Sequence, residues 1–186
     1  MKKHTLVTVL AAAACSALIF AAVAMATTIR GTQGPDKIGG SAAPDTIIAG
    51  EGNDKIIAKK GDDTVDAQGG DDYVNAGPGV DTVDGGLGND RLQGKAGGDT
   101  LNGDEGDDFL AGGGGVDTLD GGPGNDTIKG RGDGKAGDTI TCGDGDTVLA
   151  GPNDDVTQTG TCVVEVKRRC GLCNTRPPRR GLTRCG

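Results

Sequence analysis

The sequence predicts an all-β protein, a right-handed parallel β-roll (a β-solenoid) built from tandem nine-residue repeats. Three observations predict this fold: an aspartate recurs at every ninth residue, an apolar residue follows each aspartate by two positions, and glycines precede it. The chain has 186 residues, of which 37 are glycine and only three are aromatic, so it lacks the side chains of an ordinary globular core. Without the period, this composition would indicate disorder.

The first 26 residues are typical of a secretory signal peptide. A basic start at Lys2 and Lys3 is followed by an apolar run and by Ala24 and Ala26 in an A-x-A pattern, which predicts cleavage after Ala26. The alternative is an uncleaved membrane anchor, because residues 5–26 are long enough to cross a bilayer. We therefore expect a bacterial protein that is exported, and either secreted or anchored by its N-terminal helix.

Residues 31–129 contain the eleven regular repeats, in which the aspartate occupies position six. Position eight is Ile, Val or Leu in every repeat, position four is Gly except for Ala43, and position one is Gly or Ala. Each repeat is predicted to form a six-residue turn and a three-residue strand, whose middle side chain points inward. Two repeats complete one coil, so that alternate aspartates lie on two opposite edges. The first edge carries Asp36, Asp54, Asp72, Asp90, Asp108 and Asp126, and the second carries Asp45, Asp63, Asp81, Asp99 and Asp117.

The charge of the repeats points to cations as partners. Residues 31–158 contain 26 acidic and 9 basic residues, a net charge of −17. A block of this sign repels nucleic acid and anionic membranes and attracts cations. Stacked strands lie about 4.8 Å apart, so each edge holds a column of carboxylates that would oppose folding without a counter-ion.

Calcium is the ion that these residue types favour. Ca²⁺ takes six to eight oxygen ligands in flexible geometry, from carboxylates and from backbone carbonyls such as those of glycine-rich turns. Mg²⁺ retains water and requires strict octahedral geometry, and zinc prefers His and Cys, neither of which occurs in the repeats. The sequence therefore predicts calcium ions between successive coils.

The repeats resemble the RTX, or hemolysin-type, calcium-binding nonapeptide G-G-x-G-x-D-x-(apolar)-x. The segments GGLGNDRLQ (residues 85–93) and GGPGNDTIK (residues 121–129) fit it at every position. The resemblance implies about nine ions, held by the position-six carboxylates and by turn carbonyls of adjacent coils. These carbonyls would include those of Gly85, Leu87, Gly103, Glu105, Gly121 and Pro123. Pro35, Ala43 and Pro44 depart from the pattern, so we expect the first sites to be weak.

The nine-residue spacing ends after Asp126. Residues 130–158 are predicted to form degenerate coils that close a calcium-binding roll of residues 27–158. Within this cap we expect a disulfide between Cys142 and Cys162, because the protein is exported.

Residues 159–186 differ in composition and are predicted to form a basic, largely disordered tail with local disulfides. Two other hypotheses remain open, a zinc knuckle that uses Cys162, Cys170, Cys173 and Cys185, and a redox-active C-x-x-C. The tail could contact anionic cell-envelope polymers or the acidic roll itself.

An enzymatic function is not expected. His4 lies in the predicted signal peptide and Ser41 is the single serine after it, which excludes a Ser-His-Asp triad or a His-based metal hydrolase.

The leading hypothesis is a secreted calcium-binding protein whose roll folds on binding calcium, with millimolar to submillimolar affinity. The alternative is a structural or adhesive cell-surface solenoid, ice-binding or envelope-attached, in which calcium is only a rigidifying ion. It is suggested by the threonine column at position seven of the second-edge repeats: Thr46, Thr64, Thr82, Thr100 and Thr118. The oligomeric state is left open.

Overall fold

The computed structural model describes residues 26–130 and 137–166. Residues 1–25 of the predicted signal peptide, residues 131–136 and the C-terminal residues 167–186 lie outside the described residues. The interpretations of Cys170, Cys173 and Cys185 therefore remain predictions. Among the described residues, no helix is long and apolar enough to span a membrane.

The described residues form a parallel β-roll of about seven coils, as the nine-residue period predicts. Successive strands alternate between two parallel sheets of eight strands each. The odd-numbered strands form sheet A: β1 (Thr28–Arg30), β3 (Thr46–Glu51), β5 (Thr64–Gly69), β7 (Thr82–Leu87), β9 (Thr100–Glu105), β11 (Thr118–Asp120), β13 (Thr139–Cys142) and β15 (Asp155–Gln158). The even-numbered strands form sheet B: β2 (Lys37–Gly39), β4 (Lys55–Ile57), β6 (Tyr73–Pro78), β8 (Arg91–Ala96), β10 (Phe109–Gly114), β12 (Thr127–Lys129), β14 (Thr147–Ala150) and β16 (Val163–Val166).

The register follows the repeat without slippage through the regular coils. Thr82 pairs with Thr64 on one side and with Thr100 on the other, at separations of 18 residues. The cap continues the same ladders, because β15 pairs with β13 and β16 pairs with β14. Strand β16 lies beyond residue 158, where the sequence placed the end of the roll.

The predicted strand length of three residues is wrong for the central coils. Strands β3 and β5 to β10 each contain six residues, because the ladder continues from position seven into position three of the next repeat. The prediction assigned those positions to the turn because of their glycines. As a consequence, the side chain at position one also faces inward, which the sequence analysis did not anticipate.

The core is a column of single aliphatic side chains between the two sheets. The position-eight residues Val65, Val83, Leu101 and Leu119 are almost fully buried in sheet A, and their equivalents fill sheet B. A second inward row consists of the small position-one residues, which include Ala49, Ala58, Ala67 and Ala76. Because only one large side chain per repeat is buried, the core contributes little compared with that of an ordinary globular domain.

The last coils contain the predicted covalent link. The sulfur atoms of Cys142 and Cys162 lie 2.09 Å apart and their Cα atoms lie 6.1 Å apart, which is a disulfide. Cys142 is buried at the end of β13, and Cys162 packs against the core just before β16. The bond thus joins the final two strands of the roll to the preceding coil.

The position-four glycines allow the coils to approach one another closely. Gly115 has φ = 138°, and a methyl group at this position would overlap the carbonyl oxygen of Gly97 in the preceding coil. The adjacent Gly114 lacks both constraints, because an added methyl group would lie 3.9 Å from its nearest neighbour, the carbonyl oxygen of Lys95.

We predict that Gly115→Ala destabilises the folded roll, whereas Gly114→Ala leaves it nearly unchanged. The backbone conformation alone should lower the free energy of unfolding by about 1–3 kcal/mol at Gly115. The control, Gly114→Ala, should stay within about 0.5 kcal/mol of wild type. Urea unfolding in the presence of calcium measures both values, and equal effects would contradict the close approach at position four.

Candidate metal sites

The position-six aspartates are buried and form a continuous ladder along each edge of the roll. From Asp45 to Asp126 their side chains are 3 % exposed or less. The main-chain N–H of each donates a hydrogen bond to the Oδ1 atom of the aspartate in the next coil. The N–H of Asp72 lies 2.8 Å from Oδ1 of Asp90, and that of Asp90 lies 2.7 Å from Oδ1 of Asp108. Thus one carboxylate oxygen per aspartate has a structural role between coils.

The second carboxylate oxygen has no such role in the central coils. There, Oδ2 is buried and accepts no hydrogen bond in Asp54, Asp63, Asp72, Asp81, Asp90, Asp99, Asp108 and Asp126. A buried oxygen of a carboxylate is costly unless it meets a donor or a cation. Such a column of buried acceptor atoms has the chemistry of a set of cation sites.

Oxygen atoms of two successive coils converge beside position one where that residue is glycine. A methyl group built on Gly85 would lie 2.5 Å from Oδ2 of Asp90 and 2.7 Å from the carbonyl oxygen of Gly103 in the next coil. Two oxygen atoms from successive coils therefore converge on the same side of Gly85, as the ligands of a calcium ion would. Gly94 and Gly103 have the same surroundings one and two repeats later. The residues present therefore fit a calcium ion, with oxygen ligands from two successive coils.

The two ends of each column differ from its centre. In the first repeat, Oδ2 of Asp36 accepts hydrogen bonds from the main-chain N–H of Thr32 at 2.6 Å and from its hydroxyl at 2.9 Å. In the second repeat, the N–H of Ser41 donates to Oδ2 of Asp45. In the cap, Oδ2 of Asp146 accepts the N–H of Gly143 at 2.7 Å. These oxygen atoms are satisfied by the protein itself, which supports the expectation that the first sites are weak.

Burial shifts the titration of the central carboxylates. It raises the pKa of Asp72 and Asp108 to about 7, with smaller contributions from neighbouring carboxylates and partial compensation by the inter-coil hydrogen bonds. The same causes raise the pKa to about 6 in Asp81, Asp90, Asp99 and Asp126. At Asp45, burial is outweighed by hydrogen bonds from Thr27 and Ser41, and the pKa is lowered. The centre of each column thus resists ionisation.

The two edges differ in charge. The first-edge turns between residues 49 and 126 contain ten acidic and no basic residues, whereas the second-edge turns between residues 58 and 117 contain five acidic and three basic residues. The basic residues are Lys59, Lys60 and Lys95, and the ammonium group of Lys59 donates to the carbonyl oxygen of Gly40 in the preceding coil. The second edge therefore supplies part of its own positive charge.

The backbone carbonyl groups that the family resemblance implies as calcium ligands fall into two classes in the structure. Those of Gly103 and Gly121 lie beside the carboxylates of the preceding coil, as described above. In contrast, the carbonyls of Leu87, Glu105 and Pro123 accept hydrogen bonds from the N–H groups of position-four glycines of the preceding coil, at 2.8 to 3.1 Å. Position-one carbonyls are thus better placed as ligands than position-three carbonyls, which remain candidates through their second lone pair.

The described residues contain no cluster of three or more His, Cys, Asp or Glu side chains that could hold a metal ion. Each candidate site would combine the carboxylates of two coils with backbone oxygen atoms. The sequence analysis did not extend the aspartate ladder into the cap, where the N–H groups of Asp117 and Asp126 donate to Oδ1 of Asp138 and Asp146 at 3.0 and 2.9 Å. The triplets DTI and DTV at these aspartates repeat the signal of the regular coils and could have identified them.

Comparison with known families agrees with this geometry. The family model described as the RTX calcium-binding nonapeptide repeat (4 copies) matches residues 30–65, 48–83, 57–92, 84–119, 93–128 and 112–133. The matches together span residues 30–133, which is more than half of the chain. No curated protein matches the chain.

We predict that the calcium-free chain gains β-structure as the pH is lowered. The pKa of the central aspartates is higher in the folded chain, at about 6 to 7, than the 3.8 of an exposed aspartate. The folded chain therefore binds more protons between about pH 4 and pH 7, and its stability falls as the pH rises through this window. Far-UV circular dichroism in EDTA measures this effect. A loss of β-structure on acidification would contradict it.

Proposed function

The chain belongs to the RTX calcium-binding nonapeptide repeat family, and from this premise we propose that it is a secreted protein whose β-roll folds on binding calcium. Membership of this family identifies it as a calcium-binding repeat protein. Members of this family are typically extracellular bacterial proteins, and their repeat solenoids are typically structural and non-enzymatic. We propose no catalytic activity, and we assign export to the N-terminal signal.

One observation carries the proposal. In the central coils, buried Oδ2 atoms accept no hydrogen bond, and at Asp90 this atom lies beside the carbonyl oxygen of the next coil. The protein satisfies the equivalent oxygen at both ends of the roll with its own N–H groups, as at Asp36 and Asp146. Atoms that the chain pairs at its ends and leaves unpaired at its centre support a ligand that binds between the central coils.

The proposed ligands come from successive coils on one edge. Asp90 and Asp108 would share one site and Asp108 and Asp126 the next, with the carbonyl groups of Gly103 and Gly121 beside them. The same spacing on the second edge pairs Asp63, Asp81, Asp99 and their neighbours. Bound calcium would supply positive charge and accept six to eight oxygen ligands. About nine sites is the upper number, because the first pair on each edge includes Asp36 or Asp45 and because position one is alanine in four repeats, at Ala49, Ala58, Ala67 and Ala76.

Coupling between binding and folding follows from charge and burial. Residues 31–158 carry a net charge of −17 and bury one large aliphatic side chain per repeat, which favours disorder when no ion is bound. The carboxylates come together only when the coils stack, so the free energy of binding becomes free energy of folding. Low free calcium inside the cell would keep the chain unfolded until it is exported.

The alternative of an adhesive or ice-binding solenoid finds little support in the outer face of sheet A. The threonine column is exposed and in register. However, the outward residue two positions after each threonine is acidic in most coils, as at Asp66, Asp84 and Asp120. These charges interrupt the apolar character that an ice-binding face needs, so we do not propose this function.

We predict that calcium converts residues 27–186 from a coil to a β spectrum. The transition should be cooperative, because each coil provides half of the ligands for the next, and EGTA should reverse it. Far-UV circular dichroism during a calcium titration measures it, with sodium chloride at matched ionic strength as the control for charge screening. A β spectrum that persists in chelator would contradict calcium-dependent folding.

We also predict that Gly103→Ala weakens calcium binding without preventing folding. The added methyl group would approach Oδ2 of Asp108 and the carbonyl oxygen of Gly121 more closely than van der Waals contact allows, so these two oxygen atoms would have to move apart. Alanine is tolerated at the equivalent positions Ala49 and Ala67. Isothermal titration calorimetry should show an affinity loss of about tenfold, or about 1.4 kcal/mol, for the affected site.

The matched control for Gly103→Ala is Ala67→Gly on the same edge, which removes a methyl group from the equivalent place. It should bind calcium at least as tightly as the wild type. If Gly103→Ala binds the same number of ions with unchanged affinity, the position-one space is not the calcium site.

A further inference from the structure

Six strands of each sheet carry opposite charges at the first and third residue of the strand. Arg30 of β1 and Glu165 of β16 lie outside these strands and have the reverse sign. Face A is defined by the outward residues of β5, β7, β9, β11, β13 and β15, and face B by those of β2, β4, β6, β8, β10 and β12. On face A every charged residue in the first or third ladder position is acidic: Asp66, Asp84, Asp120 and Asp155. On face B every such residue is basic: Lys37, Lys55, Arg91 and Lys129. Neither set is used by the calcium sites.

The order of the charges along the roll is the same on both faces. At the first and third residues of the strands of face A, the first, second, fourth and sixth strands are charged, and the third and fifth, β9 and β13, present only Thr and Asn. The acidic residues Asp104 and Glu105 lie further along β9, in the first-edge turn. On face B the first, second, fourth and sixth are again charged, and the third and fifth, β6 and β10, present Tyr73 and Phe109. Because both faces belong to one roll, their strands have the same spacing of about 4.8 Å.

The charged residues of the two faces also correspond in their position along the strand. The chain reverses direction between the sheets, so the first residue of a strand in one sheet lies on the same side as the third residue in the other. Lys37, Lys55 and Arg91 are first residues. They would lie opposite the third residues Asp66, Asp84 and Asp120. In the fourth pair the basic residue, Lys129, is the third residue of its strand and the acidic residue, Asp155, is the first, so these two would also lie opposite each other.

From this correspondence we propose that face A binds face B of a second copy of the chain. The two copies are related by a translation with parallel roll axes, which brings β5 opposite β2 and β15 opposite β12. The pattern of charged strands is asymmetric, so the antiparallel arrangement would place charged strands opposite uncharged ones. The contact uses different surfaces on the two copies, and it therefore continues into open-ended stacks instead of closing as a dimer.

The side chains of face B are held in place before association. The guanidinium carbon of Arg91 lies 4.1 Å from the ring centre of Phe109, and the ammonium group of Lys129 lies 4.4 Å from the same ring. Lys55 approaches the ring of Tyr73 at 5.4 Å. These cation–π contacts keep the basic groups close to the sheet, which lowers the entropy that they lose on binding.

The size of the contact sets the concentration at which it forms. Six strands about 4.8 Å apart and up to six residues long present on the order of 600 Å² per face. Two such faces bury about 1,200 Å², which is at the lower limit of specific protein interfaces. We therefore expect concentration-dependent and salt-sensitive association. It rests on the proposed function in one respect, because the faces exist only in the folded, calcium-bound roll.

Sedimentation velocity of the full chain in calcium, over a series of concentrations, tests the proposal. The wild-type chain should sediment faster as its concentration rises, without a plateau at the dimer, and sodium chloride should reverse the effect. Arg91→Glu alone and Asp120→Arg alone should each weaken association at least about tenfold, because like charges then face each other. Arg30→Glu is the matched control, since Arg30 lies on β1, outside the overlap, and should change nothing.

The decisive measurement mixes the two variants. Chains with Arg91→Glu and chains with Asp120→Arg should associate with one another. Asp120 of the first variant meets Arg91 of the second as in the wild type, and at the next contact the two altered residues form an ion pair of reversed polarity. The basic C-terminal residues cannot explain such a rescue, because both variants contain them. A mixture that associates no better than either variant alone, or a wild-type chain that stays monomeric or stops at a dimer, would overturn the proposal. Circular dichroism of each sample separates this failure from a failure to fold with calcium.

Discussion

The hydrogen bond between the N–H of one aspartate and Oδ1 of the aspartate one coil later is the constraint on which the rest of the roll depends. It fixes the rise between coils, as at Asp72 and Asp90, and it requires that the carboxylate be buried. Its second oxygen is then buried as well. A protein that stacks many such coils must either protonate these groups or bind cations between them. The need to neutralise these oxygen atoms is therefore a consequence of how the coils are joined.

The distribution of glycine follows from the same close stacking, for two different reasons. At position four, as at Gly115, a side chain would collide with the preceding coil and the backbone adopts a positive φ. At position one, as at Gly103, φ is ordinary and the absent side chain leaves the space beside the carboxylate. Alanine occupies position one in four consecutive repeats and never occurs at position four after Ala43. The stricter position is thus the one that serves packing, and the more permissive one lies beside the proposed ligand.

The fold and the two aspartate columns could be predicted because the repeat length equals half a coil, so spacing along the chain determines position in space. The six-residue strands and the inward-facing position one could not be predicted. Glycine at positions two and three signals a turn, although in the structure these residues continue the ladder. The hydrogen bonds that satisfy Oδ2 at the ends of the columns could not be predicted either, because they depend on whether the N–H of Thr32 or Ser41 points toward the carboxylate. Such a choice depends on backbone angles that the residue type does not determine.

Calcium bound at the edges would change which charges dominate the molecule. Without ions, the ten acidic residues of the first-edge turns dominate the electrostatic potential of the chain, and two copies of it repel each other. Divalent ions neutralise the edges and leave the outer faces untouched. The acidic face around Asp84 and the basic face around Arg91 then become the strongest remaining features. Folding and association would respond to the same ion, the first through buried oxygen atoms and the second through the removal of repulsion.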